Sequence, residues 1–171
     1  AFLRLHKEGF LEAVPRVGFF AVSIELDEII QIYEARECIE LFVFQRVFDA
    51  IRKEHLELLK GYVDEQKLYL QKKQIYDFVK TDQKFHEVFL NIYKNRYLNQ
   101  LYRNIREQYF ICSKNIAEGQ SGAAIEEHEE LLKWIERKDL EKALGVLHAH
   151  IQNAMKRVSD GYRRIRLERN D

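Results

Sequence analysis

The 171-residue chain holds one proline, Pro15, seven glycines and two cysteines. So little proline and glycine argues against a many-turned β-sandwich, which places those residues at its turns. Cys38 and Cys112 stand far apart and form no CxxC. That excludes a disulfide framework and a thiolate zinc site, and a reducing, cytoplasmic setting is expected. Charge of one sign is also missing: 28 basic residues meet 28 acidic ones. A protein that coats nucleic acid or an acidic membrane by bulk charge is thereby excluded. No apolar run reaches the ~18 residues of a membrane span. The first residues lack the basic-then-apolar order of a secretory signal. What is present is a 46% hydrophobic composition, enough for a globular core and incompatible with disorder. The length suits one domain, or one domain plus a fragment.

The first 22 residues differ from the rest. Ala1-Phe2-Leu3-Arg4-Leu5-His6 reads as a helix already in progress and stopping near Gly9, so the chain is expected to continue upstream of Ala1. Two β-prone runs, Phe10 to Val14 and Phe19 to Val22, flank Pro15-Arg16-Val17-Gly18 and predict a hairpin. Ser23 or Asp27 then offers a helix cap, and Glu25 and Glu28 suit a first turn. Helices are predicted near 26–51, 53–72, 74–93, 97–117, 122–137 and 140–168. Short connections between them imply an all-α, antiparallel bundle. Phe42, Phe44 and Phe48 put apolar groups on more than one face of the first helix, as in a helix that is fully buried or lies at a dimer interface.

Polar residues interrupt the apolar stripes. Ile75, Phe78, Val79, Phe85, Phe89, Leu90 and Tyr93 recur at helical spacing, with Asp82 and His86 on the same stripe. A buried carboxylate without a partner is costly, so an Asp82–His86 ion pair or a stripe edge reaching water is one explanation. His128 fills a slot between Ile125 and Leu132, where a core histidine bonded to a backbone carbonyl would also serve. His148 and His150 flank the stripe Leu140, Ala143, Leu144, Leu147, Ile151, Ala154 and Val158. Asp139 is a good N-cap midway between His128 and His150, so a hairpin turning there brings those two level and weakly favours His150 over His148. Asp82, His86, His128 and His150 can then converge from three helices. Three imidazoles and a carboxylate suit zinc, nickel, manganese, iron or cobalt. A metal-free polar pocket is the alternative.

The same residues carry a resemblance. Asp82-Gln83-Lys84-Phe85-His86 matches a D-x-x-F-H motif, followed by Glu127-His128 and by His150 within Ala149-His150-Ile151. Ile32 to Glu40 contains Arg36-x-x-x-Glu40. Lys7 to Leu11 and Pro15 to Phe20 look like the end of a recognition helix and a wing. Together these resemble the ligand-sensing half of GntR-superfamily transcription regulators of the FadR subfamily, with the FCD domain. The resemblance implies a six-helix bundle of FCD type (a seven-helix form being the alternative) after a short hairpin. Residues 1–22 would be the recognition-helix end and wing of a winged helix-turn-helix, and residues 23–171 the effector-sensing domain.

The resemblance further implies a homodimeric bacterial regulator that binds operator DNA and answers to a small carboxylate metabolite. A divalent transition metal, zinc or nickel foremost, would be held by Asp82, His86, His128 and His150. Arg36 would meet the effector anion, although an ion pair with Glu40 is its simpler role. The chain departs from the family pattern where Lys138 stands in place of a frequent glycine and where His148 offers a substitute for His150. Most of the DNA-reading domain is absent, so DNA binding is expected of the parent protein and not of this fragment.

Two other classes compete. A helical-bundle metalloenzyme could use the same Asp/His site, but none of the six histidines sits in Glu-x-x-His or His-Glu-x-x-His, and no glycine-rich phosphate loop occurs. A pure interaction module is the third. The stretch from Lys156 to Asp171, rich in basic residues, reads as a solvated helix end.

Overall fold

The computed structural model describes residues 11–14, 18–21, 25–114 and 121–168. The expected helix around Ala1 to His6 lies outside them, as does Ser23. Strands β1 (Leu11–Val14) and β2 (Gly18–Ala21) pair antiparallel, with Leu11 opposite Ala21 and Val14 opposite Gly18. Gly18 has φ of 134°, a backbone region that glycine enters without steric cost.

Six α-helices follow among the described residues: α1 (Leu26–Val47), α2 (Lys53–Gln71), α3 (Ile75–Tyr93), α4 (Arg96–Lys114), α5 (Ser121–Glu136) and α6 (Leu140–Glu168). A 3₁₀ turn, Phe48–Ala50, closes α1. The capping expectation for α1 needs correcting. Glu25 occupies the N-cap without a side-chain capping hydrogen bond, and Asp27 lies inside the first turn, where its charge still favours the helix dipole. Elsewhere side chains do cap. Asn95 Oδ1 accepts from the backbone N–H of Tyr97 and Leu98. Asp139 Oδ1 accepts from Lys142 N at 3.1 Å.

Three helices end on a left-handed lysine: Lys73, Lys94 and Lys138, with φ of 55°, 58° and 58°. At Lys138 the turn is closed by Asp139 N to Trp134 O and Lys138 N to Ile135 O, both 3.1 Å. Such a turn favours glycine because the left-handed backbone crowds Cβ. Lys138 offsets part of that cost by donating its Nζ to Ile51 O at 3.2 Å.

The helices form one bundle. α1 lies against α3, α4 and α6; α2 lies against α3 and α5; α3 meets α4, and α5 meets α6. Each turns its stripe inward: Val43, Phe44 and Val47 from α1, Leu59 and Val63 from α2, Phe85 and Phe89 from α3, Leu131 and Ile135 from α5, and Leu147 and Ile151 from α6. Phe44 packs edge-on against Phe48 and Phe89, with ring centroids 5.6 and 4.9 Å apart. Phe44 and Phe48 are buried, whereas Phe42, on another face of α1, is 44% exposed and meets Tyr93 edge-on. No described helix is long and apolar enough to cross a membrane.

Phe44→Ala removes a fully buried ring from the junction of α1 and α3. Its cost is expected at about 3–5 kcal/mol. Leu68→Ala, at an exposed position, should stay within about 0.5 kcal/mol of wild type. Urea denaturation of the two variants checks the contrast.

Candidate metal centre

Helix α3 places Asp82 and His86 one turn apart on its buried face. α5 supplies His128 and α6 supplies His150. All four residues are buried, none above 4% exposed. One donor atom from each lies within 4.8 Å of the others. His86 Nε2 stands 3.2 Å from His150 Nε2 and 3.3 Å from His128 Nε2. Asp82 is a little farther, with Oδ1 3.7 Å from His128 Nε2 and Oδ2 4.0 Å from His86 Nε2.

Those separations fit a metal. Nitrogen ligands ~2.0–2.1 Å from a tetrahedral ion lie ~3.3 Å from one another. Three Nε2 lone pairs facing each other repel unless positive charge lies among them, either a shared proton or a cation. The carboxylate adds a hard oxygen donor, which completes a mixed N/O set suited to a divalent transition metal.

The far side of each ring is also engaged. His128 Nδ1 lies 2.9 Å from Gln66 Oε1. His150 Nδ1 lies 2.8 Å from Glu127 Oε2. His86 Nδ1 lies 2.7 Å from Glu40 Oε2, a close contact and not an aligned hydrogen bond. For a neutral His128 or His150, an acceptor at Nδ1 holds the proton there and leaves Nε2 bare, the outer arrangement that metal-binding histidines use. The two carboxylates are anchored in turn. Arg157 grips Glu127 with two 2.9 Å bonds, and Asn153 adds a third. Glu40 Oε1 accepts from Arg36 Nε at 2.5 Å and from the Tyr102 hydroxyl at 2.8 Å.

Electrostatics follow the geometry. Burial alone would raise Glu40, but Arg36 and His86 outweigh it and hold the carboxyl at about 2. Glu127 is likewise held at about 2, with His150 and Arg157 overcoming its burial. Asp82 sits well below the usual carboxylate range because the imidazoles and Arg36 outweigh burial. Burial, then the neighbouring His150, pushes His128 well below its ordinary value. Burial also lowers His150, opposed by its bond to Glu127. Burial therefore favours the neutral, ligating form of both rings.

All four residues singled out as candidate ligands thus meet at one point. The hairpin argument for His150 agrees with the geometry, since His148 is half exposed and pairs with Glu37 at 3.2 Å. Arg36 is buried, in an i, i+4 pair within α1. Sequence reasoning missed Gln66, Tyr102 and Arg157, and gave Glu127 no role. Gln66 had a readable signal: Leu59, Val63 and Gln66 share one helical face and a polar residue interrupts it. Arg157, Tyr102 and Glu127 had none, because their partners are set by helix packing.

The model of the FCD domain family matches residues 31–153, well over half of the chain. The chain belongs to the FCD domain family. Among curated relatives, the HTH-type transcriptional regulator YdhC of Bacillus subtilis is 24% identical over 152 residues, spanning 87% of this chain and 68% of that protein. Among solved structures, E. coli McbR/YncC superposes with a TM-score of 0.83 at 16% identity, covering 95% of this chain and 82% of that one. The Zn2+-bound FCD domain of TM0439 gives 0.70 at 22% identity, covering 82% and 98%. At such identities the structures establish the FCD fold, which agrees with the bundle described above.

Arg36→Met keeps bulk but strands the Glu40 carboxylate in the core. It should destabilise the domain by about 3–5 kcal/mol. Tyr102→Phe removes one hydrogen bond to a charged group and should cost about 1.5–3 kcal/mol. Chemical denaturation measures both, and a loss below 1 kcal/mol for Arg36→Met would refute its anchoring role.

Proposed function

We propose that this FCD domain is the metal-dependent, effector-sensing part of a GntR-type transcription regulator. Asp82, His86, His128 and His150 hold a divalent transition metal, zinc or nickel foremost. The observation that carries the reading is the set of three imidazole Nε2 atoms turned towards one another beside a carboxylate. The bound metal supplies positive charge, which offsets lone-pair repulsion and attracts an anion.

A charge count supports a carboxylate effector. The network holds three carboxylates, Asp82, Glu40 and Glu127, against two guanidiniums, Arg36 and Arg157. With neutral imidazoles that is one net negative charge. A divalent ion turns it into one net positive charge, which a monocarboxylate neutralises. Arg36 meets this anion, since its planar guanidinium matches a carboxylate. Glu40 then trades part of its grip on Arg36 for the remaining contacts with Tyr102 and His86.

The chain acts as a regulator and not as an enzyme. Glu40 and Glu127 are each committed to a guanidinium and an imidazole, so neither is poised as a general base. The named relative is a transcriptional regulator. Residues 1–22, with the β1–β2 pair, form the recognition-helix end and wing of a winged helix-turn-helix, and residues 23–171 form the sensing domain. The whole protein binds operator DNA as a homodimer in the cytoplasm, and effector binding changes the relation of the two DNA-reading heads by linkage.

Zinc at about 100 times its Kd should add about 2.7 kcal/mol, or roughly 5–11 °C in Tm for a domain of this size. His128→Ala should abolish that gain. Calorimetric titration with acetate or gluconate should show weaker binding after chelation of the metal. An unchanged melt with zinc, or equal carboxylate affinity with and without metal, counts against the reading. Light scattering at micromolar concentration should give a dimer, and a monomer would remove the proposed coupling.

A further inference from the structure

Helix α2 brings no candidate ligand, yet it sends one polar side chain into the core. Gln66 is fully buried, beside Leu59 and Val63 on the inner face of α2. Its amide spans two candidate ligands. Nε2 donates to Asp82 Oδ1 at 3.3 Å, and Oε1 lies 2.9 Å from His128 Nδ1.

The chemistry of the three groups permits one proton arrangement. An ionised carboxylate only accepts, so the NH₂ end of the amide must face Asp82. The carbonyl end must then face His128. A carbonyl also only accepts, so a neutral His128 carries its proton on Nδ1. The bare nitrogen is Nε2, and Nε2 is the atom turned towards His86. Asp82 thus decides, through the amide, which nitrogen His128 offers. No other uncharged side chain of this length donates at one end and accepts at the other. A glutamate here would set a second carboxylate against Asp82.

We infer that Gln66 is a positioning residue of the centre, which orients Asp82 and selects the ligating nitrogen of His128. The consequence for metal affinity rests on the metal-centre reading, whereas the tautomer does not. Loss of such an outer partner typically weakens metal binding about 10- to 100-fold.

The test uses the full chain and Gln66→Met, which keeps length and bulk and removes both polar atoms. In the metal-free wild type, ¹⁵N imidazole shifts should show His128 with its proton on Nδ1. In Gln66→Met that signature should give way to a mixture of tautomers. Zinc affinity, measured by competition with a chromophoric chelator, should fall about 10- to 100-fold, with far-UV circular dichroism unchanged. A wild-type His128 protonated on Nε2 overturns the inference whatever the variant does. So does a Gln66→Met protein that keeps both the tautomer and the affinity of wild type. If wild type binds no zinc, the metal-centre reading fails, and the tautomer measurement alone decides the role of Gln66.

Discussion

Three imidazole Nε2 atoms and one carboxylate face one another in the middle of an apolar bundle. The surrounding polar structure exists to hold that arrangement. Each ring needs an acceptor behind it to keep its proton outward. Each charged acceptor needs a counter-charge, because a lone buried ion costs several kcal/mol or more. Satisfying these conditions draws in every helix. α1 brings Arg36 and Glu40, α2 Gln66, α3 Asp82 and His86, α4 Tyr102, α5 Glu127 and His128, and α6 His150 and Arg157.

The network is a source of specificity more than of net stability. Buried ion pairs seldom outperform well-packed apolar groups of equal size, but losing one partner is severe. The free energy of the fold comes from the surrounding stripes, where Phe44, Phe85, Leu131, Leu147 and Ile151 are fully buried. Burying each such side chain contributes about 1.5–3 kcal/mol. The apolar residues hold the helices together, and the polar ones determine how they must sit, since a shift of one residue would unpair charges.

A centre bonded to all six helices also suits a sensor. An ion or anion that prefers one spacing of the donors acts on every helix through bonds already present. The differential affinity for two arrangements sets how far the balance can move. The two carboxylate arms differ in this respect. Glu127 is gripped by both guanidinium nitrogens of Arg157 and also meets His150 and Asn153, whereas Glu40 meets Arg36, Tyr102 and His86 through single contacts.

Much of this was legible in the residue order. Helical periodicity places all six helices within a few residues of their observed ends, because apolar spacing reports directly which face is buried. Asp82, His86, His128 and His150 were readable as polar residues on apolar stripes, and Asp139 as the cap that brings α5 and α6 into register. Gln66 carried the same signal in weaker form. The roles of Glu127, Tyr102 and Arg157 were decided only by tertiary structure. Each finds its partner on another helix, and charged or aromatic residues at the edge of a stripe look alike whether they meet water or a buried ion. The direction of the Gln66 amide belongs to the same class. It follows from an acceptor on one helix and an imidazole on another, and no local pattern within α2 encodes either.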